Sequence, residues 1–122
     1  MEANIHDLVR ESSSTTGSVL SIDLDAEVGY ARFSDASTVG ETLYYTIHNE
    51  GNREVGIGTV QANNVLDRTT PLTTLVGGVY TSPASTRITL AGLSQVAISP
   101  SAETLHSIEK EQTARIFLLI GA

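Results

Sequence analysis

Apolar and polar residues alternate with a period of two from residue 41 to residue 61, and this alternation constrains the fold more than any other feature of the chain. The first half places successive side chains on two faces: Leu43, Tyr45 and Ile47 on one, and Tyr44, Thr46 and His48 on the other. Residues 49–52 (Asn-Glu-Gly-Asn) are typical of a tight turn, and the alternation resumes through Val55, Ile57 and Thr59. Two such strands joined by a short polar turn form a β-hairpin. We therefore predict a hairpin over residues 41–61.

Shorter segments of the same kind lie on both sides of this hairpin. Residues 18–24 alternate, with Leu20, Ile22 and Leu24 on one face, and a short strand is expected around residues 65–66. Pro71 and the pair at residues 77–78 (Gly-Gly) are expected to break the middle of the chain into loops.

Residues 87–99 predict a second hairpin. Ile88, Leu90, Val96 and Ile98 are expected to point inward, with Gly92 in the turn. Residues 101–111 are expected to form one short helix that Ser101 caps. Together the segments predict an all-β fold, a compact antiparallel sandwich or barrel of about six to eight short strands.

The two ends of the chain differ in character. The first 16 residues are polar and end in a Ser/Thr run, so we predict a flexible N-terminal arm over residues 1–16 and a single β domain over residues 17–122. Residues 114–120 are almost continuously apolar, which favours a strand covered on both faces or one that docks on a neighbouring subunit.

Composition bounds the class of protein. A chain of 122 residues with 40% hydrophobic residues suits one domain with a modest core. The net charge of -7 argues against nucleic acid as a partner, because phosphate binding needs clustered cations. With no Cys there is no disulfide or thiolate site, and no segment has the length of a membrane span. We expect a protein made in the cytoplasm that binds neither nucleic acid nor membrane.

No constellation of residues predicts catalysis, and we expect no enzyme, metal or cofactor. His6, His48 and His106 lack the spacing of a zinc site, and the acidic residues at 23, 25 and 27 lack the glycine and further oxygens of a calcium loop. There is no Gly-x-Ser-x-Gly elbow and no carboxylate pair in a hydrolase context.

Two short motifs favour structural interpretations. Residues 54, 56 and 58 share one strand face, and the two glycines there indicate a bulge or the close approach of another backbone or subunit. Asp67 and Arg68, followed by Thr-Thr-Pro, indicate a local ion pair at a turn closed by hydroxyl groups, with a carbohydrate-contacting loop as the alternative.

Four blocks of residues together resemble a known family. They are Val9-Arg10-Glu11, residues 42–47 (Thr-Leu-Tyr-Tyr-Thr-Ile), residues 54–59 (Glu-Val-Gly-Ile-Gly-Thr) and residues 66–70 (Leu-Asp-Arg-Thr-Thr). Their order and spacing are similar to a small β-domain module of tailed-bacteriophage virion proteins, including tail fibre, head fibre and capsid decoration proteins. Arg53 stands where that module usually has an aromatic residue, and the apolar end from Ala114 is not part of it. The resemblance implies a structural role in a virion.

The absence of a fibre repeat or a long extension favours a capsid decoration, or cement, protein, which would lie on the capsid surface of the virion. Its expected partners are the major capsid protein and copies of itself, as a trimer or by strand exchange with a neighbour. The residues predicted to make assembly contacts are Arg10, Ser12, Thr15, Tyr44, Gly56, Gly58, Arg68, Ile116, Phe117 and Leu118. The alternative is a tail or head fibre adhesion module that binds host glycans through Tyr30, Tyr44 and Tyr80.

Overall fold

The computed structural model describes residues 8–98, which form eight strands and one single-turn helix. The elements are β1 (Arg10–Ser13), β2 (Ser21–Asp23), β3 (Asp25–Ala26), α1 (Phe33–Ala36), β4 (Thr42–Asn49), β5 (Asn52–Gln61), β6 (Val65–Val76), β7 (Val79–Thr81) and β8 (Ser94–Ile98). The predicted all-β fold is confirmed.

All eight strands belong to one antiparallel sheet that is nearly closed into a barrel. The order is β2-β6-β5-β4-β8-β1-β3, and β7 pairs with β6 beside this path. The first and last strands of that order are separated in sequence by Leu24 alone, which is buried and whose N–H donates to the Asn64 carbonyl oxygen at 2.8 Å. One bent segment, residues 21–26, therefore pairs with both ends of the sheet, and its inner side chains join the core.

The predicted hairpin is confirmed as β4 and β5, which pair from Thr42 opposite Thr59 to Asn49 opposite Asn52. Its turn residues Glu50 and Gly51 both have positive φ, the backbone of the two-residue turns that match strand twist. Alternation on β4 follows the expectation, since its three inward residues 43, 45 and 47 are fully buried.

On β5 the other face is the inner one. Glu54, Gly56, Gly58 and Val60 are buried, whereas the apolar residues at 55 and 57 are only half-buried. The glycine face lies inside because Gly56 stands opposite Tyr45 and leaves room for its ring.

The predicted N-terminal arm is wrong for residues 8–16. Residues 10–13 form β1, which lies between β8 and β3, and its Glu11 and Ser13 are fully buried. Polar composition favoured an arm, but distant groups satisfy the buried carboxylate of Glu11, as described below. Residues 1–7 lie outside the described part of the chain.

Two loop and pairing predictions are also corrected. β6 runs unbroken through Pro71, which lies at a register shift between β5 and β6, a place where a missing N–H is tolerated. Ile88 and Leu90 are buried as expected, but they do not pair with β8, which lies between β1 and β4 instead. The predicted strand at residues 18–24 is shortened to β2. The predicted helix at 101–111 and apolar strand at 114–120 lie outside the described residues.

The core occupies the inside of the barrel. Its buried apolar side chains come from five of the eight strands, from α1 and from connecting segments: Val9, Ile22, Leu24, Phe33, Leu43, Tyr45, Ile47, Val60, Leu66, Ile88, Leu90, Val96 and Ile98. Asn49, at the end of β4, fastens the loop before β8 to this core: its Nδ2 donates to the Ala91 carbonyl oxygen at 2.8 Å, and its Oδ1 accepts from the Ala91 N–H at 3.1 Å.

Candidate functional site

The most unusual feature of the interior is an ion pair between Glu54 on β5 and Arg68 on β6. Both side chains are fully buried, and Arg68 donates from Nη2 to Oε1 at 2.7 Å and from Nε to Oε2 at 3.0 Å. The carboxylate also accepts from the Ile88 N–H at 2.8 Å and from the Tyr45 hydroxyl at 2.6 Å. Four donors therefore compensate the desolvation of this charge.

Arg68 extends the network to two connecting segments. Its Nη1 donates to the Val19 carbonyl oxygen at 2.9 Å and its Nη2 to the Ile88 carbonyl oxygen at 2.8 Å. Its backbone N–H donates to Leu20, and its carbonyl oxygen accepts from Arg87 Nε at 2.6 Å. The pair thus fixes both segments against the wall of the barrel. We call Tyr45, Glu54 and Arg68 the buried staple.

Tyr45 completes the staple by lying across the two glycines of β5. A Cβ atom at Gly56 would lie 2.6 Å from the Tyr45 hydroxyl oxygen and 2.5 Å from the Thr70 carbonyl oxygen. A Cβ atom at Gly58 would lie 2.8 Å from the Asp67 carbonyl oxygen. The close backbone approach predicted at these glycines is confirmed, and register shifts interrupt the β5–β6 pairing beside them.

Burial raises the pKa of the Tyr45 hydroxyl far above its usual range, and the nearby carboxylate of Glu54 raises it further. This direction agrees with the role of the hydroxyl as a hydrogen-bond donor to the Glu54 carboxylate.

The local ion pair predicted between Asp67 and Arg68 is wrong. Arg68 faces inward, whereas Asp67, its neighbour on the strand, faces outward and accepts from the Ser21 hydroxyl at 2.5 Å and from Gln61 Nε2 at 2.9 Å. Sequence reasoning missed Glu54 as the partner of Arg68. The sequence did contain one indication of this pairing: Glu54, Arg68 and Tyr45 all belong to the four blocks that carry the resemblance.

A second buried carboxylate holds β1 to the helix. Glu11 is fully buried, and its two oxygens accept from Arg32 Nε and from the Phe33 N–H, each at 2.8 Å. Arg32 in turn donates from Nη2 to the Leu24 carbonyl oxygen at 2.9 Å. This pair also has a structural explanation, since it anchors the strand that was predicted to be an arm.

The residues predicted to make assembly contacts fall into three groups. Gly56, Gly58 and Arg68 lie inside the domain, and Tyr44, on the outer face of β4, is only 8% exposed, so these four residues offer little surface to a partner. Partly accessible on the N-terminal side lie Arg10, Ser12 and Thr15. Outside the described residues lie Ile116, Phe117 and Leu118.

Arg10 belongs to a surface cluster. It donates to the Glu27 carboxylate at 2.8 and 3.2 Å, and its guanidinium lies 4.9 Å from the centre of the Tyr30 ring. One face of that ring is therefore already occupied by a cation.

A cluster of exposed apolar side chains lies at the end of the β6–β7 hairpin. Val76 is 45% exposed, Val79 65% and Tyr80 71%. The stretch 69–86, which contains the whole of this end, has no Asp, Glu, Lys, Arg or His. Within residues 8–98, β7 pairs with β6 on one side and with nothing on the other. We call Leu75, Val76, Val79 and Tyr80 the apolar hairpin end.

A row of side chains crosses the outer face of the sheet and ends on this hairpin. Pairing in register from β8 to β7 gives the row Gln95, His48, Arg53, Leu75 and Tyr80. His48, Arg53 and Gln95 are exposed. Five neighbouring strands span roughly 19 Å, so the row forms a shallow polar strip that ends in an aromatic ring.

Among residues 8–98 no group of three or more His, Asp or Glu side chains is placed to hold a metal ion. Within the same range, no helix is long and apolar enough to cross a membrane. No family model, curated protein or solved structure matches this chain. The interpretation of its surfaces therefore depends on their own geometry and chemistry.

Proposed function

We propose that this chain is a structural component of a bacteriophage particle, a decoration protein that binds the outer surface of the assembled head and stabilises it. The observation that carries the proposal is that three of the four blocks that carry the resemblance meet in the buried staple. Tyr45 comes from one block, Glu54 with its two glycines from the next, and Arg68 from the last. The residues that carry the resemblance thus maintain a rigid scaffold and do not line an open pocket.

A scaffold of this kind suits a protein that acts by covering surface. Binding across several capsid subunits means that each opening of the shell also breaks the contacts with the decoration protein, which raises the stability of the closed shell by mass action. The net charge of -7 keeps a protein made in many copies soluble before assembly. The major capsid protein is the proposed partner, and the cluster around Arg10 is one accessible surface for it.

The direct test is cryo-electron microscopy of the phage whose genome encodes the chain. We expect density for the domain at symmetry-related positions over the head. Density confined to the tail, or particles that lack the protein altogether, would overturn the decoration role. Calorimetry adds a functional readout: shells with the protein bound should open at a higher temperature than shells without it, and an unchanged transition would also count against the proposal.

A second candidate function, an adhesion module that binds host glycans, is favoured by Tyr80. Of the three tyrosines expected to contact sugars, Tyr44 is only 8% exposed, and Tyr30 is stacked against Arg10. Tyr80 is 71% exposed at the end of the outer row, two strands from the exposed Arg53, and its ring is accessible for stacking on a sugar.

Saturable binding of the intact protein to host-surface polysaccharide tests this candidate. Binding should be lost in Tyr80→Ala and retained in the matched variant Tyr30→Ala. Absence of binding by the wild-type protein, or equal binding by both variants, would contradict the glycan function.

A further inference from the structure

We propose that two copies of this chain associate edge to edge through β7, with the apolar hairpin end packed at their two-fold axis. This contact goes beyond the proposed function: it concerns copies of this chain, whose association was expected from the sequence as a trimer or by strand exchange. Three observations carry it: the backbone orientation at Tyr80, the absence of charge around it, and the exposure of the side chains beside it.

The turn geometry determines which backbone groups point outward. Gly77 and Gly78 form a two-residue turn, both with positive φ, so Val76 and Val79 are the first pair of the ladder and are hydrogen-bonded to each other. Leu75 and Tyr80 are the next pair, and in an antiparallel ladder the N–H and C=O of such a residue point away from its partner. Tyr80 therefore presents its donor and its acceptor to the free edge.

This arrangement is self-complementary. When two β7 strands meet antiparallel about a two-fold axis at Tyr80, each Tyr80 donates its N–H to the other and accepts at its C=O. Val79 then lies opposite Thr81 of the second copy, so that each β-branched side chain meets another across the junction. The edge thus needs no partner of different sequence to complete two hydrogen bonds.

The absence of charged side chains around β7 favours a second copy of the chain as the partner. A chain with a net charge of -7 repels its own kind over most of its surface. The stretch 69–86 carries no charged side chain, so two copies approach here without like-charge repulsion. Natural sheet edges that must stay single are commonly protected by lysine or another charge, and β7 has neither.

Exposure supplies the apolar part of the contact. Val79 and Tyr80 are 65% and 71% exposed, and a three-residue strand with these side chains buries a small area for an interface. Interfaces below about 1,200 Å² are typical of weak, reversible association. We therefore expect a dimer that forms and dissociates with concentration.

Sedimentation velocity of the intact protein over a range of concentrations tests the proposal. The wild-type sedimentation coefficient should rise with concentration toward that of a dimer. Tyr80→Pro removes the outward N–H without adding a charge and should remain a monomer over the same range. Val39→Lys, which places a charge on a valine that is 64% exposed elsewhere, should associate like the wild type.

Tyr80→Lys gives a second test if the proline variant does not fold, and it should also remain a monomer. A wild-type protein that stays monomeric up to about millimolar concentration, whether or not another part of the chain covers the edge, overturns the proposal. So does undiminished association of folded Tyr80→Pro or Tyr80→Lys. Neither result concerns binding to a phage head, so this inference and the decoration role fail separately.

Discussion

Replacing Arg68 by methionine is the most informative perturbation of this domain. The substitution replaces arginine by an apolar side chain about as long as its aliphatic stem and removes the guanidinium. The Glu54 carboxylate then keeps its bonds from Tyr45 and Ile88 but loses its two charged bonds and its positive partner. The carbonyl oxygens of residues 19 and 88, which accept hydrogen bonds from Arg68, lose that donor as well.

The expected cost is large because the remaining charge is fully buried. Removing one member of a buried ion pair costs about 3–5 kcal/mol, since the other is left without compensation. A domain of this size has a total stability of about 5–15 kcal/mol, so Arg68→Met should lose a large share of it. Arg53→Met is the matched control: Arg53 is exposed on β5 and makes no ion pair within residues 8–98, so its cost should stay within about 0.5 kcal/mol.

Urea denaturation measures both values, provided that the slope m is unchanged. The double variant Glu54→Gln/Arg68→Met provides the sharper result, because it removes both charges together. Its cost should be smaller than the sum of the two single costs by about 2 kcal/mol or more. If Arg68→Met costs less than about 1 kcal/mol, or if the costs simply add, the buried staple does not hold the domain in the way described.

Three further predictions concern single residues of the interior. Because the pKa of Tyr45 is raised in the folded state, the stability that it contributes is present below the ordinary tyrosine pKa near 10 and is lost as the pH rises above it. Above pH 10 the unfolding free energy of the wild type should fall more steeply than that of Tyr45→Phe, by up to about 1.4 kcal/mol per pH unit. Equal slopes in the two proteins would contradict the shift. Gly56→Ala places a methyl group 2.5 Å from the Thr70 carbonyl oxygen and 2.6 Å from the Tyr45 hydroxyl oxygen, and it should cost about 1–3 kcal/mol in thermal or urea unfolding. A neutral substitution would show that both the ring and the neighbouring β6 backbone have room to move. Asn49→Ala removes the side-chain partner of the Ala91 N–H and carbonyl oxygen, which are only partly buried, and should cost about 1 kcal/mol. Gln95→Ala, exposed on neighbouring β8, should change the unfolding midpoint little, and equal effects of the two substitutions would contradict the role given to Asn49.

The alternation of apolar and polar residues was sufficient to predict the β4–β5 hairpin, because its two strands are adjacent in sequence and its turn residues are of the types that turns require. It was not sufficient for β1. The burial of Glu11 depends on Arg32 and on the Phe33 N–H, and no periodicity within residues 1–16 contains those partners. A buried charge is recognisable only when its distant compensating group is known.

The candidate site was also only partly predictable from the sequence. The close approach at Gly56 followed from two small residues on one strand face, but which group occupies the space depends on the register between β4 and β5. The length of β6 was missed because Pro71 is tolerated only where the β5–β6 ladder is irregular, and that irregularity is a property of the pairing. Exposure of Tyr80, by contrast with Tyr44, was likewise decided by strand position and not by residue type.

The bent segment at residues 21–26 has a consequence for how the domain is made. β4 and β5 can pair as soon as both have been synthesised, and β6 can follow at once. β1, however, pairs with β8, so Glu11 cannot pair with Val96 until the other end of the described chain has been synthesised. β3 pairs only with β1 among the described strands. Pairings between such distant residues make folding slow, in the range of milliseconds to seconds for β proteins. On the ribosome, then, the first of the eight described strands to be synthesised completes its pairing only after the last of them has emerged.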